Sequence, residues 1–215
     1  MLGFGLLVAH SVKTRGISDT LRFLLPVLFF GWLKEAGSAV AASRHEYIFS
    51  TALGPRILGV PLIIPVGWAF AFYLGRCVAE TAIERIPKFR GNLFALLSLL
   101  MITVFCISLC VEVTGAGAGW WVWQKQNIHD ERWIINIPKF VLIGWTYFSL
   151  FYTLPFFLMN KTYFKRKRIR KLFPLIYLFP LLGKVLIGPA FNVVSILILF
   201  AFIFVLPFTS RIRLE

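Results

Sequence analysis

Val60-Pro-Leu-Ile-Ile-Pro-Val-Gly-Trp68 and Ile137-Pro-Lys-Phe-Val-Leu-Ile-Gly-Trp145 share one frame: a β-branched residue, Pro, a stretch of equal length, then Gly-Trp. Each reads as the opening of a Pro-led apolar helix. The recurrence extends backwards. Glu35 precedes Pro61 by the same interval at which Glu112 precedes Pro138, so acid and Pro keep one register in both copies. Each acid is followed by small residues, Glu35-Ala-Gly-Ser-Ala-Val-Ala and Glu112-Val-Thr-Gly-Ala-Gly-Ala, and then by an aromatic stretch, Tyr47-Ile-Phe49 or Trp120-Trp-Val-Trp123. The repeating unit is therefore a helix with an acid near its end, a loop, and a Pro-led helix. Two helices per unit make both copies run the same way, as parallel repeats about an axis along a membrane normal. The units span about residues 20–80 and 92–160.

A membrane is implied by composition. Of the 215 residues 59% are hydrophobic and only 15% charged, more apolar surface than a soluble domain of this length can bury. Crossing a hydrocarbon core of roughly 30 Å takes about 20 apolar residues in a helix, and lipid demands that every backbone polar group be paired within the segment. Stretches at about 20–42, 56–76, 92–113 and 138–159 qualify. A further apolar tract, Leu172 to Phe208, is interrupted by Pro174, Pro180, Lys184 and Pro189. It reads as an interfacial piece near 172–182 followed by a spanning helix near 185–207. Met1–His10 is short for a span and lacks a signal-peptide pattern, so it reads as a partial first helix. The expected fold is all-α, a single integral membrane bundle of five to six transmembrane helices.

The net charge of +14 fits this topology rather than nucleic acid. Alternating helices gather most of the 23 Lys and Arg on one side, in the N-terminal segment and the 76–90 and 160–184 loops. By the positive-inside rule those loops are cytoplasmic. The run Lys165-Arg-Lys-Arg-Ile-Arg-Lys171 acts as a topology determinant beside anionic headgroups, and no nucleic-acid motif accompanies it. Cys77, Cys106 and Cys110 give no disulfide framework; Cys106 and Cys110 share a helix face and read as small packing residues. His10, His45 and His129 are scattered, no spacing resembles a metal or haem site, and no cofactor motif is present.

The chemistry then rests on the two acids. An ionisable group in a membrane helix costs roughly 2.5–3.5 kcal/mol on insertion scales and marks a function by default. The plainer readings are a pair between Glu35 and Lys34, snorkelling of Glu112 to the interface, an aromatic belt for Trp120, Trp121 and Trp123, and close helix approach at Gly67, Gly144 and the Gly115–Gly119 run. The sharper reading places both acids and Trp68 and Trp145 towards the same, extracytoplasmic side. Hydrocarbon favours the neutral form of a carboxyl, which can then act as an acid, and indole faces stabilise positive charge. Such a set suits proton addition to an isoprenoid double bond with capture of the tertiary cation by water. It also suits plain binding of a polyene or quinone.

The order His10, Gly16, Glu35, Tyr47-Ile-Phe49, the block Leu53 to Trp68, Glu112, Gly119-Trp-Trp-Val-Trp123 and Pro138 to Trp145 resembles the carotenoid biosynthesis membrane-protein family, over about residues 8–150. That family includes hydratases acting on γ-carotene and bisanhydrobacterioruberin. The resemblance implies a hydratase that needs no cofactor and adds water across the terminal double bond of an acyclic carotenoid. It makes Glu35 and Glu112 the catalytic acids, in either assignment of proton donor and cation-stabilising partner. Tyr47, Trp68, Trp121, Trp123 and Trp145 would contact the substrate. The family pattern differs at Arg44–Phe49, at Val113 and at Val141. The alternative is a noncatalytic subunit that binds a pigment or lipid within a larger membrane assembly; a transporter is a third reading.

Overall fold

The computed structural model describes residues 2–40, 47–124, 133–134 and 137–159. The 160–184 stretch, the C-terminal helix near 185–207, His45 and His129 lie outside the described residues. Among the described residues five helices dominate: α1 (Leu2–Arg15), α2 (Ile17–Val40), α3 (Ile63–Arg85), α4 (Leu93–Gly117) and α5 (Lys139–Met159). Six short strands join them: β1 (Tyr47–Phe49), β2 (Arg56–Ile57), β3 (Val60–Pro61), β4 (Trp121–Trp123), β5 (Trp133–Ile134) and β6 (Ile137–Pro138). The fold is thus mostly helical, in keeping with the all-α expectation, with short strand pairs added in the segments between helices. α3 and α4 are long and apolar enough to cross a membrane.

Helix positions follow expectation at α2, α4 and α5 within a few residues. α3 does not: it begins at Ile63 and continues to Arg85, whereas apolarity predicts a span at about 56–76 and a loop at 76–90. At its start, Arg56 and Ile57 pair with Pro61 and Val60 in a tight antiparallel hairpin. Both central residues of its turn, Leu58 and Gly59, have positive φ, 49° and 78°. That is the left-handed backbone such a tight hairpin turn needs to match strand twist. The hairpin takes up the residues that apolarity alone assigns to a helix. A second hairpin stands before α5, with Trp133 opposite Pro138 and Ile134 opposite Ile137. Its four paired positions follow those of the first at the same offset that separates Glu35 from Glu112.

The chain forms two compact units, Met1–Tyr73 with Ser108–Lys139 and Leu74–Ile107 with Phe140–Glu215. In the first, α1 turns into α2 at Gly16, where the Ser11 and Thr20 hydroxyls are hydrogen-bonded at 2.8 Å. The His10 ring meets the Tyr73 hydroxyl at 2.8 Å. α4 closes with a Schellman arrangement: the Trp120 N–H donates to the Gly115 carbonyl at 2.8 Å and the Gly119 N–H to Ala116 at 3.1 Å. Gly119 holds φ 69°, the left-handed step this cap requires, and the chain leaves directly into β4.

In the second unit the Asn92 side chain caps α4, its Oδ1 accepting from the N–H groups of Phe94 (3.0 Å) and Ala95 (3.2 Å). Gly75 lets α3 lie against Val104 and the Leu100 carbonyl; a Cβ there would meet Val104 Cγ2 at 2.9 Å. Arg76 corrects a second expectation. It is not a loop cation: it lies inside α3 with 2% of its side chain exposed, paired with Glu80 one turn on (Nε to Oε1, 2.8 Å). The Phe156 ring, 4.7 Å from its guanidinium carbon, covers the charge. Cys106 and Cys110 are exposed on α4, not packed as small core residues. Added Cβ atoms at Gly67 and Gly144 would meet nothing within 4 Å among the described residues, so no described helix approaches either glycine closely.

Candidate functional site

The site grows from one short ribbon in the first unit. β1 and β4 are antiparallel, with Tyr47 opposite Trp123, Ile48 opposite Val122 and Phe49 opposite Trp121. The Ser50 N–H extends the ladder by donating to the Trp120 carbonyl at 2.8 Å. Side chains alternate along a strand, so Tyr47, Phe49, Trp121 and Trp123 share one face and Ile48 and Val122 the other. Exposure agrees: Ile48 and Val122 are open, whereas Phe49 and Trp121 are buried. The inner face is a continuous aromatic layer, with the Tyr47 ring 4.9 Å from Trp123 and 5.1 Å from Phe49, centroid to centroid.

Both acids hang from that face. Glu35, 4% exposed on α2, accepts the Tyr47 hydroxyl through Oε2. Glu112, 6% exposed on α4, accepts the Trp121 indole N–H through Oε2 at 3.1 Å. Tyr47 and Trp121 stand one side-chain level apart on the same face of the ribbon, a step of about 7 Å. Glu112 is buried rather than snorkelling. The first unit therefore gathers beneath one aromatic layer two acids that lie far apart in the chain.

Glu35 carries two further donors. Its Oε1 accepts the Trp68 indole N–H at 3.1 Å and the Lys34 ammonium at 2.7 Å. The Lys34 nitrogen also lies 5.2 Å from the Trp68 ring centroid and 5.9 Å from that of Tyr47. The expected Lys34–Glu35 pair is present, and it coexists with contacts from two other elements.

Each indole has a glycine floor. A Cβ at Gly31, one turn before Glu35, would meet Trp68 carbons at 3.0–3.2 Å, and a Cβ at Gly115, one turn after Glu112, would collide with the Trp121 ring. Glycine one turn from each acid, on the same helix face, lets the ring lie flat against the helix while its N–H reaches the carboxylate. The first hairpin braces the arrangement: the Trp32 indole N–H donates to the Ile57 carbonyl at 3.2 Å, and Arg56 Nη2 donates to the Phe49 carbonyl at 2.9 Å.

Of the residues singled out from sequence, Glu35, Glu112, Tyr47, Trp68, Trp121 and Trp123 all belong to this cluster. Trp145 is buried on α5 and belongs to the second unit. The repeated frame matches Trp145 to Trp68, and the indole N–H that Glu112 accepts within the first unit is that of Trp121. Sequence reasoning does not reach Gly31, Trp32 or Arg56. Gly31 carries a visible signal, a glycine at i−4 from a buried acid, but Trp32 and Arg56 act through backbone carbonyls of distant segments and carry none.

A mostly helical, membrane-associated protein whose first unit buries two carboxyls under an aromatic layer is the class that fold and site define. The chain matches the family model described as carotenoid biosynthesis protein over residues 1–207, and it belongs to that family. No curated protein and no solved structure matches it. Family membership supports a role of carotenoid-biosynthesis type, with an isoprenoid substrate and a membrane setting.

Proposed function

We propose that this protein hydrates the terminal double bond of an acyclic carotenoid. The observation that carries the reading is the attachment of Glu35 and Glu112 to one aromatic face, in a chain of a carotenoid biosynthesis family. Acid-catalysed hydration needs a proton donor and, on the same reacting end, a group that stabilises the tertiary cation and receives a proton from the attacking water. One carboxyl protonates the less substituted alkene carbon. The π pair forms the new C–H bond, and the other carbon becomes a tertiary cation facing the rings. Water forms the C–O bond, and its surplus proton goes to the second carboxyl, leaving a tertiary alcohol. No redox partner or cofactor enters this balance.

The proposal includes a multi-pass membrane chain built as a tandem two-helix repeat, with its basic segments cytoplasmic. The matched hairpins and the matched acids, displaced along the chain by one common offset, support the repeat. The test is to offer acyclic carotenes to the purified protein in lipid. A product heavier by one water is expected, lost in Glu35→Gln and in Glu112→Gln while the unfolding temperature shows a folded protein. Wild-type protein inactive on every acyclic carotene refutes the proposal. A second reading, a noncatalytic pigment-binding subunit of a larger membrane complex, is favoured by one feature: both oxygens of Glu35 already have donors. It predicts a retained pigment or a stoichiometric partner without turnover.

A further inference from the structure

Three groups that would stabilise a cation surround the Lys34 ammonium: a carboxylate oxygen at 2.7 Å and two aromatic rings, Trp68 at 5.2 Å and Tyr47 at 5.9 Å. We propose that this box is a cation site which Lys34 fills at rest and vacates for the substrate's tertiary cation, or for a tertiary ammonium of like shape. The charge, the rings and the carboxylate are the same ones that a carbocation on a carotenoid end would require. Lys34 is suited to leave. Its side chain is 30% exposed, against 5% for Glu35, and its ammonium rides on a flexible four-carbon stem.

The box also divides the roles of the two acids. With Lys34, Trp68 and Tyr47 all donating to it, Glu35 is served as an acceptor, the pattern of an ionised carboxylate and not of a proton donor. Glu112, on the most apolar helix, is then the donor. In the hydration described above, Glu112 gives its proton to the alkene, and the cation forms where the ammonium stood. Departure of Lys34 opens a lone pair on Glu35 Oε1 beside the Trp68 N–H, and that lone pair takes the proton released by the attacking water. Solvent returns that proton to Glu112. Lys34 is thus a positioning residue that occupies the cation's place between turnovers.

This assignment of roles rests on the hydratase reading, but the cation site is tested by binding alone. N,N-dimethyldodecylamine, protonated at neutral pH, is titrated into the full chain in nanodiscs of neutral lipid, with dodecyl methyl ether as the uncharged control for partitioning. Lys34→Ala and the longer Lys34→Met empty the box. Both are expected to bind the amine about tenfold more tightly than wild type, with no change for the ether. Adding Glu35→Gln to Lys34→Met removes the preference for the amine. Equal behaviour of amine and ether in all variants, or an amine preference that survives Glu35→Gln, overturns the site. If the amine preference follows this pattern while no carotene is turned over, the hydration reading falls and the cation site stands.

Discussion

Gly115→Ala puts a methyl group where the Trp121 ring now lies, and the size of its effect can be worked out from three contributions. The ring carbons cannot yield without moving the indole, and overpacking of this kind costs about 1–3 kcal/mol. Moving the indole breaks its N–H bond to the buried Glu112 carboxyl, a hydrogen bond of about 0.5–1.5 kcal/mol. Against these stands the gain of replacing glycine by alanine in a helix, about 1 kcal/mol. The balance is a loss of about 2 kcal/mol, which lowers the unfolding midpoint by roughly 4–8 °C for a chain of this size. Thermal unfolding in detergent, followed by tryptophan fluorescence, reads it. Gly67→Ala is the control, since its Cβ meets nothing among the described residues, and it keeps or raises the midpoint. In the Trp121→Leu background the penalty of Gly115→Ala shrinks, because the ring it strikes is gone. If Gly115→Ala melts with Gly67→Ala, the indole does not lie on Gly115 and the bond to Glu112 is wrongly drawn.

Two other substitutions test the rest of the fold. Arg76→Met removes the guanidinium paired with Glu80 on α3 and costs about 3–5 kcal/mol, most of it recovered when Glu80→Leu is added, as a double-mutant cycle on the unfolding midpoint reports. Leu58→Gly relieves a non-glycine residue at φ 49° and raises stability by about 1 kcal/mol, visible as an upward shift of the same midpoint.

Apolar length and acid placement carry much of this architecture at the level of sequence. The cores of α2, α4 and α5 follow from runs that lipid would accept, and Glu35 and Glu112 stand out because a carboxyl inside such a run must have a reason. What periodicity of apolar residues cannot distinguish is a hairpin made of apolar residues from the first turns of a helix. Arg56–Pro61 is therefore absorbed into a span, although Pro55, Gly59 and Pro61 punctuate it. Arg76 reads as a loop charge because charge counts ignore partners; Glu80 one turn later and the Phe156 ring make its burial tolerable. The ribbon is the costliest omission. Tyr47-Ile-Phe49 and Trp121-Val-Trp123 are both aromatic, aliphatic, aromatic, a period of two that suits strands, yet nothing local says that two triplets so far apart pair with each other. That pairing places Trp121, which donates to Glu112, on the same strand face as Tyr47, which donates to Glu35.

The pairing of β1 with β4 is what brings two carboxyls to one place, and a cross-link tests it most directly. Ile48 and Val122 are opposite one another on the exposed face of the ribbon, at a separation at which paired cysteines form a disulfide. In a background with Cys77, Cys106 and Cys110 replaced by serine, Ile48→Cys with Val122→Cys should lose both thiols to maleimide labelling on mild oxidation and regain them on reduction. Ile48→Cys with Trp120→Cys, out of register, should keep its thiols. Thiols at 48 and 122 that stay free under oxidation would mean that the ribbon is not formed, and the two acids would no longer share a face.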